Sequence, residues 1–110
     1  MAYIINERTL DISMVKGDSA EIPIKLTSNI FSTGDKILFI MANDSGVRKL
    51  TKEITEFDSE GYANIIITPE DTDLLDVGTY KHQIKWEHEG KRDTINPESS
   101  TATFEIKPSV

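Results

Sequence analysis

The sequence contains no cysteine, so disulfide support and thiolate chemistry are both closed to it, and stability must come from packing alone. It also lacks a long apolar run. The opening "MAYIINERTL" has no basic stretch followed by a hydrophobic one, so neither a secretory signal nor a transmembrane helix is read there, and synthesis in the cytoplasm is the expectation. Positive charge is short as well: twelve Lys and Arg stand against nineteen Asp and Glu, a net charge of −7. A field of that sign repels phosphate backbones and anionic lipid, so no nucleic-acid or membrane partner is expected. There is no Gly-x-Ser-x-Gly elbow, no phosphate loop and no Gly-rich dinucleotide fingerprint, so the expectation is no enzyme and no cofactor.

What is present suits one soluble domain over residues 1–110. A chain of this length can bury roughly 65% of the surface its unfolded form exposes. The composition, 37% hydrophobic and 28% charged, is that of a globule and not of a disordered tail.

Short alternating segments separated by turns organise the chain. In "AEIPIKL" the residues Ala20, Ile22, Ile24 and Leu26 share one side and Glu21, Pro23 and Lys25 the other, as in a half-buried strand that Pro23 confines to an edge or bulge. The turn "KGDS" at 16–19, with "LDISMV" before it, predicts a hairpin over 10–27. "KILFIMA" at 36–42 lies between two turn signals and is too short for a stable helix, so it is predicted as a strand. The triplet Asn43-Asp44-Ser45 after it reads as a turn, not as a glycosylation site. A polar strand "VRKLTKEI" at 47–54 and a β-branched one "YANIIIT" at 62–68 are predicted to pair as neighbours across the turn "DSEG".

One helical turn is predicted near residues 69–75: Thr68 suits an N-cap, Pro69 the first helical position, and Glu70 and Asp71 the positive end of the helix dipole. "GTYKHQIKWEH" then alternates Tyr80, His82, Ile84, Trp86 and His88 against polar residues, a long strand with one buried face. Residues 89–100, "EGKRDTINPESS", read as a polar loop, and "TATFEIK" turns Ala102, Phe104 and Ile106 inward. With no internal repeat, this pattern predicts an all-β sandwich of about seven antiparallel strands.

Little of this carries chemistry. His82 and His88 lie six residues apart on one strand, some ~20 Å, too far to share a metal. His82 is expected to be inward or partly buried and His88 exposed near the loop. The acids Glu70, Asp71, Asp73 and Asp76 lack the spacing and central glycine of a calcium loop and sit where helix-start acids belong, so no metal is expected.

Two features do bear on identity. Asp76-Val77-Gly78-Thr79-Tyr80 has the Asp-x-Gly-x-Tyr spacing found where an immunoglobulin-like sandwich enters its penultimate strand and a tyrosine hydroxyl locks the crossover. Asp76, Gly78 and Tyr80 are thus predicted to form a structural corner, with Leu74 and Leu75 plugging the end of the core. His82 stands where antibody domains have their second cysteine, which disfavours an extracellular receptor domain. In addition, both alternating sets of "ILFIMA" and "NIIIT" are apolar, so something is expected to cover an outer face, either "AYIINE" at 2–7 or a partner subunit.

The layout as a whole resembles the immunoglobulin-like N-terminal domain of phage baseplate upper proteins and related small phage tail proteins. "KGDSAEIPIKL", "TKEITEFDSEGYANIIITPEDTDLL", "VGTYKHQIKWEHEG" and "TFEIKP" carry the resemblance, over roughly residues 10–107. It implies a non-enzymatic virion structural protein of a tail or baseplate, with other tail proteins and possible further copies of itself as partners. The family often continues into a fibre or receptor-binding region, whereas this chain stops at Val110, as an excised domain or a small stand-alone protein. Candidate interface residues are Ile37, Leu38, Phe39, Ile40 and Met41, if outward, together with Lys91, Arg92 and Asn96 in the 89–100 loop. Tyr80 and Trp86 are assigned to the core. The alternative is a carbohydrate- or cell-surface-binding module using that loop, against which the loop's lack of aromatic residues weighs.

Overall fold

Alternation of apolar and polar residues at period two builds nearly every element. The computed structural model describes residues 3–5, 10–24, 31, 33–95 and 102–109. They form nine strands and one short helix: β1 (Tyr3–Ile5), β2 (Ile12–Val15), β3 (Ala20–Ile24), β4 (Lys36–Ala42), β5 (Arg48–Ile54), β6 (Ala63–Ile67), α1 (Pro69–Asp73), β7 (Gly78–His88), β8 (Lys91–Thr94) and β9 (Ala102–Lys107).

The strands make two sheets facing each other across one core. The larger runs β1-β2-β9-β7-β4-β5, and β8 pairs with the far half of β7; the smaller is β3 with β6. Strand β7 is long enough to hold two partners in succession: β9 lies against Gly78–His82 and β8 against Lys85–His88. The fold is the expected all-β sandwich. It has nine strands among the described residues where about seven were predicted, and one pairing, β2 with β9, is parallel.

Inward side chains come from alternate positions on both sheets. Ile22, Ile37, Phe39, Met41, Ile65, Ile67, Ile84 and Phe104 are wholly buried, with Ile12, Met14, Tyr80 and Ile106 nearly so. Glu21 and Pro23 face outward on β3, which is an edge strand as Pro23 requires. Leu26 lies outside the described residues.

Two predicted pairings and one predicted loop are corrected. The turn after β2 does not close a hairpin, because β2 belongs to the larger sheet and β3 to the smaller. It is a crossover between sheets. Likewise β5 pairs with β4 and β6 with β3, so β5 and β6 are not ladder neighbours. Residues 91–94, predicted as loop, form β8 in a tight hairpin whose turn residues Glu89 and Gly90 both have positive φ (49° and 78°).

Helix α1 carries the chain from the smaller sheet back to the larger. Thr68 caps it: its hydroxyl accepts from the Asp71 amide at 3.2 Å, while the Asp71 carboxylate accepts from the Thr68 amide at 2.9 Å, a reciprocal capping box. Its buried Thr72 fastens the helix to the first crossover, accepting from the Gly17 amide at 2.9 Å and donating to the Asp18 carbonyl at 3.0 Å. Gly17 adopts φ +91°, a left-handed conformation that favours glycine in this turn.

Candidate interaction surfaces

The outer face of the larger sheet is decided by the parity of β4. Ile37, Phe39 and Met41 are fully buried in the core and cannot be interface residues; that part of the expectation is overturned. Leu38 and Ile40 point the other way and are half-buried. Leu38 lies between Glu53 of β5 and Lys85 of β7, and Ile40 between Thr51 and Gln83. The apolar spine is therefore two residues long and one strand wide, framed by polar neighbours. Strand β1 does not lie across this face as a flap. It extends the sheet in plane beside β2, at the end opposite β5.

On the smaller sheet, Ile65 and Ile67 are buried while Ile66 is 56% exposed. Ile66 borders an open groove of about 600 Å³ between β5 and β6, which Ile54, Phe57, Glu53, Glu56 and Asp58 also line. Lys52 of β5 crosses to α1 and meets Asp71 at 2.6 Å. Burial alone would raise the Asp71 carboxyl, but its bonds from Lys52 and from Thr68 outweigh that and hold it below its ordinary value.

A tyrosine bonded back to the chain opens β7. The Tyr80 hydroxyl donates to the Asp76 carbonyl at 2.7 Å, and burial, with the Asp76 charge, raises the phenol above its ordinary value so that it stays a donor. Leu75 plugs the core end, but Leu74 does not: it is 87% exposed, and Val77 beside the corner is 51% exposed. Two adjacent leucines in a helix exit cannot both face one core.

At the far end of β7, Lys91 and Arg92 are exposed on β8, and Asn96 lies outside the described residues. Arg92 bonds Glu87 directly opposite, its Nε donating at 3.0 Å. His88 is half-buried and not exposed as expected. Its ring stacks on Trp86, centroids 3.6 Å apart, and bonds Asp93 at 2.7 Å. Trp86 sits at the core rim, one face under His88, its edge against Phe31 and its Nε1 donating to buried Asp35 at 3.1 Å. The Trp86-x-His88 spacing on one strand face was the available signal for this stack, whereas the partnership with Asp35, 51 residues away, had none.

Two turn side chains are taken up by backbone. Asn43 and Asp58 each accept from two amides, Ser45 and Val47 for the first, Glu60 and Tyr62 for the second, shaping the turns around β5. The Tyr62 amide is the main cause holding the Asp58 carboxyl below its usual value. Among the described residues no three His, Asp or Glu side chains converge as a metal site would require, and no helix is long and apolar enough to cross a membrane.

Compared with known proteins, the chain matches no protein-family model, and no curated protein matches it.

Proposed function

We propose that the protein is a non-enzymatic structural component of a bacteriophage tail or baseplate, made in the bacterial cytoplasm and acting through contacts with other tail proteins. The observation that carries the reading is the character of its surface. The Asp71 and Asp58 carboxylates are engaged in a cap and a turn, and what the surface offers is the Leu38–Ile40 spine, the exposed Ile66, Leu74 and Val77, and the edge of β5 that no strand among the described residues pairs. An unpaired sheet edge is a template for pairing with another chain. The resemblance over residues 10–107, with its Asp76-x-Gly78-x-Tyr80 corner, supplies the class of partner.

A sugar-binding module draws no comparable support. Among the residues whose side chains are described, no aromatic ring is exposed, and Trp86 has one face covered by His88.

The test is electron microscopy of particles induced from the bacterium whose genome encodes the chain, labelled with gold-conjugated antibody against it. Label on tails or baseplates is the expected result. Particles that stay unlabelled, while the chain accumulates free in the lysate, overturn the proposal.

A further inference from the structure

Strand β5 closes one end of the larger sheet. It pairs with β4 along one side, and among the described residues no strand pairs with its other side. An unpaired edge offers a row of backbone donors and acceptors to another strand. Proteins commonly blunt such edges with lysine and bulges, and β5 has both: Leu50 lies opposite Met41 and Arg48 opposite Ala42, leaving Lys49 as the extra, bulged residue. Its charge is nevertheless not of one sign. Arg48 and Lys49 are at the start, Glu53 and Glu56 at and just beyond the end. A uniformly cationic edge repels a copy of itself, whereas one that runs from basic to acidic complements its own reverse.

We infer that β5 is a self-pairing edge, through which two copies of this chain join antiparallel about a two-fold axis at Thr51 and merge their larger sheets. The register follows from charge. With the axis on Thr51, facing residues are Thr51 with Thr51, Leu50 with Lys52, Lys49 with Glu53, and Arg48 with Ile54, so two Lys–Glu pairs form, one on each side of the axis. Moving the axis to Leu50 sets Arg48 against Lys52, and moving it to Lys52 sets that lysine against itself; like charges directly opposed are unfavourable. At Thr51 the Lys52 ammonium keeps its Asp71 partner and presents its hydrocarbon stem to Leu50.

Two further features agree. Glu53 meets Lys36 at 3.2 Å with both side chains well exposed, a contact cheap to exchange. The same register sets Val47, 52% exposed, opposite Thr55 of the second copy, at the mouth of the groove holding Phe57 and exposed Ile66. This inference stands on β5 and not on the tail reading, which a monomeric chain leaves standing.

The chain has no cysteine, so Thr51→Cys introduces a single thiol at an exposed position. Directly opposed residues of an antiparallel pair have Cα atoms about 4.5–5.5 Å apart, within disulfide reach. Under mild oxidation the Thr51→Cys variant forms a covalent dimer at least about tenfold faster than the Thr55→Cys variant, because position 55 faces Val47 of the second copy and not itself. By light scattering behind size exclusion the parent dimerises with concentration. Lys49→Glu or Glu53→Lys alone weakens the dimer by about tenfold, because each creates two like-charge oppositions, and the double charge swap restores it. Circular dichroism confirms that each variant is folded. A parent that is monomeric at every concentration, with Thr51→Cys crosslinking no faster than Thr55→Cys, overturns the inference. So does a dimer indifferent to the charge changes and not captured by the Thr51→Cys thiol.

Discussion

The Nε2 of His82, in the middle of β7, lies 2.7 Å from the carbonyl oxygen of Leu10, so the imidazole donates to a backbone group 72 residues earlier in the chain. Leu10 holds φ +62°, a left-handed conformation that costs a leucine energy. The bond thus pins a strained residue at the entry to β2. With Nε2–H as the donor, Nδ1 is left unprotonated, buried and without a partner, among the rings of Phe39 and Phe104.

That arrangement makes stability depend on pH. Burial lowers the His82 value below 6.5, against smaller raising effects from the Leu10 bond and the Asp11 charge. The unfolded chain therefore takes up the proton first as pH falls, and the stabilising difference, fully present above about 6.5, is lost below it. Thermal melts between pH 7.5 and pH 5 should show a falling midpoint. His82→Leu should be less stable at pH 7.5 by about 1–3 kcal/mol, through the orphaned Leu10 carbonyl, with a shallower slope across that window. An unchanged slope contradicts the assignment.

Tyr80→Phe removes only the hydroxyl bonded to Asp76 and keeps the buried ring. Urea unfolding should show a loss of about 0.5–1.5 kcal/mol with the denaturant slope unchanged. A variant as stable as the parent shows that the corner is held by packing alone.

Thr68→Ala abolishes the hydroxyl half of the capping box and should cost about 0.5–2 kcal/mol by the same measurement. Asp71 adds an acid-side effect. Its carboxyl is held below 3.8, so its contribution is present above that value and lost as pH falls through the lowered one; Asp71→Asn should remove part of the destabilisation seen below pH 4.

The parity of β4 is testable with one charge at neighbouring positions. Phe39→Lys places an ammonium in the core and should yield no folded protein at 25 °C. Ile40→Lys, on the outer face, should fold and lose no more than about 1 kcal/mol. Circular dichroism and a thermal melt decide, and equal damage from both contradicts the outward placement of Ile40.

Local patterning made much of the fold legible. "KILFIMA" marks the bounds of β4, the run from Thr68 to Asp71 marks the capped helix start, and Asp76-x-Gly78-x-Tyr80 marks the corner. Each depends on residues close together in the chain. Pairing is non-local, and there local signals misled. The turn Lys16–Ser19 reverses the chain but does not say whether the next strand joins the same sheet, and the turn between β5 and β6 is silent on it for the same reason. Strand β8 was hidden because its four residues are all exposed and polar, though Glu89-Gly90 and the Glu87–Arg92 pairing were readable as a hairpin. At the candidate interface the period of two split Leu38 and Ile40 from Ile37, Phe39 and Met41, but only the position of the second sheet shows which set faces the core.

The proposed structural part in tail assembly is tested most directly by deleting the coding segment from the genome that carries it and counting tailed, infectious particles after induction. The account predicts that particles with complete tails fall sharply and return when the chain is supplied in trans, including a variant with Asp73 and Asp76 replaced by Asn. Undiminished yields of complete, infectious particles after the deletion contradict it.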